Sequence, residues 1–178
     1  MHKIWAILAA ALSLVGSDAL AAQNDCPMVA ARYGLIGYPE FTASFQPTPS
    51  APGWESDVAL RVVVDDRFFW FMFDQSGISG DVSLVRTSDP SSPGWRPPSL
   101  SSPNASATEA SYYRMDADLN IRSDAPRAGD EAPAYILAPD LTEVIADDPG
   151  AAKNSRVRMP KALFKLTYCQ SQLARAGP

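Results

Sequence analysis

The chain has 178 residues, 46% of them hydrophobic, and carries 15 Lys and Arg against 20 Asp and Glu, a net charge of −5. That length fits one domain with a substantial buried core. The mild acidity and the scatter of the arginines, none of which cluster into a phosphate-tracking stripe, argue against nucleic-acid binding, and no basic membrane-surface helix is present.

The chain opens Met1-His2-Lys3, and residues 4–15 are apolar except for Ser13. Gly16 and Ser17 follow, and Ala19-Leu20-Ala21 places small residues where a signal peptidase reads. This is the three-part pattern of a cleaved secretory signal over residues 1–21. The apolar stretch is shorter than the roughly 20 residues a membrane-spanning helix needs. The alternative is an uncleaved N-terminal anchor. No later stretch is long and apolar enough to span, so after cleavage no transmembrane anchor is expected. Residues 22–178 are then a single all-β domain, placed in the periplasm or the medium.

Cys26 and Cys169 are the only cysteines and stand near the two ends of that domain. In an oxidising compartment such a pair reads as a disulfide, which requires the two ends of the fold to lie side by side. No CxxC supports a redox or thiolate-metal role.

Weak strand candidates occupy residues 29–36 and 40–45. A loop rich in Pro and Ser over 46–53 leads to the alternating Val58, Leu60, Val62 and Val64, and Asp65-Asp66 reads as a turn. Residues 67–74 are apolar on both faces, as in a central strand covered on both sides or one facing a partner. Glycines bracket a turn before a strand over 81–86, so residues 58–86 read as a three-strand meander. Residues 88–107 form a long Pro/Ser-rich loop, a length that usually signals function or disorder. Residues 112–121 alternate strictly: Tyr113, Met115, Ala117, Leu119 and Ile121 on an inward face, Arg114, Asp116, Asp118 and Asn120 on a wet one. Weaker strands are expected at 134–137, 141–146 and 156–159. Residues 161–169 alternate as a strand, although Pro160 could also open a helix. The sum is an antiparallel sandwich or flattened barrel of about eight to ten strands, with its core on residues 68–73 and the inward side of 112–121.

The only histidine, His2, lies in the signal. The mature chain therefore cannot build a Ser-His-Asp or Cys-His mechanism or a His-ligated metal site, and no phosphate-cradling glycine motif is present. No cofactor or metal is expected. The chemistry left is that of paired carboxylates. Asp74 and Asp81 could face each other across a short connection, but solvated strand ends explain them as well. Asp116-Ala117-Asp118-Leu119-Asn120 resembles the start of a calcium loop, yet Ile121 and Arg127 stand where that loop needs Gly and Glu.

One feature recurs. Pro49-Ser50-Ala51-Pro52-Gly53-Trp54 is echoed by Pro90-Ser91-Ser92-Pro93-Gly94-Trp95. Each tryptophan follows a Pro-Gly turn, either capping the fold or presenting a flat ring with an N–H for stacking on a sugar or peptide. Trp54, Trp95, Arg96 and Tyr112 are the candidate ligand contacts. The leading expectation is a non-enzymatic binding or structural module of the bacterial envelope or medium, its partner a glycan, peptide or envelope protein. A carboxylate-dependent hydrolase of envelope polysaccharide is the runner-up, and a secreted inhibitor or assembly subunit is the third reading.

Overall fold

The computed structural model describes residues 26–75, 80–99, 109–146, 159–161 and 163–170. The signal segment, the strand expected at 156–159 for all but its last residue, and residues 100–107 of the long loop lie outside them.

The elements are β1 (Ala31–Leu35), β2 (Tyr38–Pro47), β3 (Val58–Val64), β4 (Arg67–Asp74), β5 (Val82–Thr87), β6 (Glu109–Met115), β7 (Ile121–Arg122), β8 (Tyr135–Leu137), α1 (Leu141–Ala146) and β9 (Leu163–Cys169). Every pairing is antiparallel, in the order β5-β4-β3-β2-β1-β9-β8-β6. A β5–β6 pairing, Val82 opposite Tyr112 and Val85 opposite Glu109, closes these eight strands into a barrel. The short β7 adds to β6 beyond the end of β5, opposite Arg114 and Met115. β1 and β9 are neighbours, and the Cys26–Cys169 disulfide joins the two chain ends at one mouth, with a Cα–Cα distance of 5.8 Å. The all-β fold and its disulfide staple are thus as expected, in barrel form.

Alternation decides what fills the barrel. Val58, Leu60, Val62 and Val64 of β3 and Phe69, Phe71 and Phe73 of β4 point inward and are buried. An aromatic chain crosses the interior from Tyr33 through Phe45 and Phe73 to Tyr112, with ring centroids 5.8, 6.0 and 4.8 Å apart. Asp65 and Asp66 both take positive φ, the conformation a two-residue hairpin turn demands and one that Asp tolerates. β4 is apolar on both faces because both are covered over residues 69–73. Its outward Trp70 and Met72 are buried together with Ala59 and Val85 on the neighbouring strands. Residues 88–99 run back against this wall, where Trp95 Nε1 donates to Thr87 Oγ1 at 3.0 Å, and Thr87 stands opposite Trp70.

Both mouths are closed. At the mouth where β5 ends, α1 places Leu141, Val144 and Ile145 in the core, and Arg86 donates to the Val144 carbonyl. At the disulfide end, residues 123–134 cross the opening. Ser56 Oγ donates to the Pro126 carbonyl and Tyr33 Oη to the Pro133 carbonyl.

Three expectations are corrected. Residues 141–146 are a helical turn, their apolar residues facing the core at helical spacing. Phe68 is exposed, because it stands on the outer face of β4 near the β3–β4 turn. Residues 112–121 are not one strand. The chain reverses at 116–120, and the inward face of β6 carries Ala110, Tyr112 and Arg114, while Leu119 and Ile121 are exposed. Alternation is blind to parity once the strand is cut short: Arg114, expected in water, points into the mouth of the barrel.

Candidate functional site

The structure separates the residues singled out from the sequence. Trp54 lies in the 48–57 connection at the disulfide end, and Trp95 follows β5 from the opposite end, so the two echoed turns leave opposite mouths of the barrel. Both rings are half-buried, and Arg96 is exposed. Tyr112 is withdrawn as a surface contact: its ring is buried against Phe73 inside the barrel. Burial raises the proton affinity of its hydroxyl far above the ordinary tyrosine range, with the nearby Arg114 charge opposing.

Around Trp95 the outer wall is richer than the sequence showed. Arg61, pointing outward on β3, sets its guanidinium 4.2 Å from the Phe68 ring centroid and 5.7 Å from that of Trp70. Cation–π contact of this kind orders the arginine and leaves the exposed ring on a firm base. Asp89, at the start of the returning segment, is held below the ordinary carboxylate range by hydrogen bonds from Ser91, with Arg61 contributing. The signal for this surface was in β4, whose second apolar face allows either a cover or a partner. Trp70 is covered, whereas Phe68 stays exposed.

A concave feature lies at the disulfide end. A cleft of about 220 Å³ opens between the β6–β7 hairpin and residues 131–134. Met115, Ala132, Pro133 and Leu166 give it apolar walls, and Asp116, Asp118, Glu131 and Arg122 stand around it. Arg114 forms part of its wall. This guanidinium is 1% exposed and bonds Asp124 and Asp130, whose side chains are 52% and 32% exposed. Its Nε meets no acceptor. Residues 123–134 hold these acids because their loop is fixed from several sides: Met28 N–H donates to the Asp130 carbonyl, Ala132 N–H to the Cys26 carbonyl and Arg127 N–H to the Asp130 carboxylate.

The hairpin rim of this cleft is rigid for a local reason. The Asp116 carboxylate accepts from the backbone N–H of Asp118 and of Asn120 and from the Asn120 side chain, each at 2.9 Å. These bonds hold its proton affinity below the ordinary aspartate range. Leu119 takes φ 66° at the tip, a left-handed conformation that L-residues with a Cβ adopt at a cost. Sequence reasoning overlooked this cleft because its rim was read as continuous strand.

No family model, curated protein or solved structure matches the chain, so its function is argued from these surfaces alone.

Proposed function

We propose that the protein is an exported, non-enzymatic binding module of the bacterial envelope or medium that engages a glycan, peptide or envelope protein with its outer surface. The observation that carries this reading is the filled barrel. The interior is packed with apolar and aromatic side chains from its strands, and both mouths are closed by chain. An eight-stranded barrel can either hold a small ligand or fill itself, and this one is filled. Contact therefore falls to the wall around Trp95, Arg96, Phe68 and Arg61, to Trp54, and to the cleft at the disulfide end.

Two further features support the reading. A disulfide between chain ends fits an oxidising compartment, in line with the signal pattern of residues 1–21. The outward positions include Arg32, Arg61 and Lys165 opposite an apolar interior, the reverse of a lipid-facing barrel. The hydrolase alternative draws less support. The cleft acid with altered proton affinity, Asp116, is lowered and committed to its turn, whereas a general acid near neutral pH needs a raised value.

Tryptophan fluorescence titrated with defined glycans, peptides and lipid vesicles tests this proposal. A saturable change is expected for one class, weakened by Trp95→Ala or Arg96→Ala. No response to any class, or one unchanged in a Trp54→Ala, Trp95→Ala double variant, overturns the assignment of these contacts.

A further inference from the structure

The cleft at the disulfide end is too small to engulf a drug-sized molecule, for which roughly 300–1,000 Å³ is usual. At about 220 Å³ it holds one side chain of something larger. Its walls, Met115, Ala132, Pro133 and Leu166, call for an apolar side chain. Its rim is acidic. Asp118 and Glu131 are exposed, and among the described residues no hydrogen bond or ion pair engages either carboxylate. Arg122, the cation on the rim, is bonded to Asp124. Arg114, in the wall, is matched by Asp124 and Asp130, so its charge is already answered.

Beside the cleft, the hairpin tip sets Leu119 and Ile121 in water at 58% and 62% exposure. Leu119 does so in a backbone conformation that Asn or Gly would adopt more cheaply. An apolar side chain held rigid and wet, in a conformation unfavourable to it, gains nothing for the fold.

We propose that this cleft and hairpin tip bind an extended peptide segment in which an apolar residue is flanked by basic ones. The apolar side chain enters the cleft, and the basic side chains meet Asp118 and Glu131. Charge complementarity selects this occupant over an acidic peptide, which the rim repels, and size selects a peptide over a free small molecule. The inference rests on the reading of the chain as a binding module and names a partner class for one of its surfaces.

The test uses three blocked tripeptides, acetyl-Lys-Leu-Lys-amide, acetyl-Glu-Leu-Glu-amide and acetyl-Lys-Ser-Lys-amide, added to the oxidised, isotopically labelled protein. Saturable shifts of the backbone amides of residues 115–118, 131 and 132 are expected with the first peptide. The second should give none, and the third should bind more weakly. An Asp118→Asn, Glu131→Gln variant, which alters exposed carboxylates and should keep its melting temperature, should bind the first peptide roughly five- to tenfold more weakly. Added salt should narrow that difference. No saturable shift at these amides, equal binding of the glutamate peptide, or full affinity in the folded double variant overturns the proposal. Such a failure alongside a positive tryptophan titration leaves the module reading standing, because Trp54 and Trp95 do not line this cleft.

Discussion

Replacing Arg114 by methionine should destabilise the protein less than removing the two carboxylates that face it. The guanidinium is 1% exposed, but Asp124 and Asp130 are 52% and 32% exposed. In Arg114→Met the surviving charges can turn to water, and a side chain of similar length fills the mouth of the barrel. Exchange of a buried ion pair for apolar packing is often neutral, so the expected loss is small, about 0–2 kcal/mol. In Asp124→Asn, Asp130→Asn the arginine stays inside without a counter-charge, a situation that costs about 3–5 kcal/mol. The buried Nε, unsatisfied in the parent, is removed only in Arg114→Met, which makes the loss there smaller still. Urea unfolding at neutral pH, with the disulfide intact, measures both variants against the parent. Equal losses, or a larger one for Arg114→Met, would refute the view that the burden lies on the buried cation and not on its exposed partners.

The disulfide closes a sequence separation of 143 residues, for which the chain-entropy relation gives about 5 kcal/mol as an upper figure. Cys26→Ser, Cys169→Ser should therefore lower the unfolding free energy by several kcal/mol and raise the urea m-value, since its unfolded state is more extended; a loss below about 1 kcal/mol would contradict the staple's role. Leu119→Asn should raise the melting temperature slightly by relieving the left-handed strain, and a drop would show that Leu119 packs usefully in the free protein. For Asp116 the folded proton affinity is lowered, so its contribution is present above the unfolded value of about 3.9 and lost as pH falls through the lower folded value. Acidification through that window should release the Asp118 and Asn120 amides, seen as faster hydrogen exchange, and Asp116→Ala should show the fast exchange already at neutral pH.

Much of the barrel was legible because its strands obey simple alternation. Val58 to Val64 place every second residue in the core, and Asp65-Asp66 supplies a turn that needs two positive φ values. The cysteine pair carried long-range information that no local pattern holds, since it required β1 and β9 to meet. Closure was not legible. Whether β5 pairs with β6 depends on register across the connection from 88 to 108, and a sandwich and a barrel share the same pattern until that pairing is made. The helical turn at 141–146 was misread because six residues are too few to separate a period of 3.6 from one of 2.

The binding surfaces were harder to read for a different reason. Trp54 and Trp95 were conspicuous as letters, but a repeated hexapeptide says nothing about which end of a barrel each copy leaves. Residues 112–121 show the same limit in sharper form. Ten alternating residues fit one strand facing the core, and they fit equally a strand, a reversal and a return strand. The deciding interaction is the Asp116 side chain reaching forward to the amides of residues 118 and 120, which competes with strand continuation at the same residue. Once that turn forms, the parity of everything after it ceases to matter. Leu119 and Ile121 leave the core for solvent, and Arg114, on the opposite parity, enters it. The local contact that spoiled the strand reading therefore also created the acidic, apolar-walled cleft, and the Asp116→Ala exchange experiment and the tripeptide titration bear on the same event. If the turn loosens, the rim that carries Asp118 should loosen with it, and binding of the lysine-flanked peptide should weaken in Asp116→Ala even though Asp118 and Glu131 are intact.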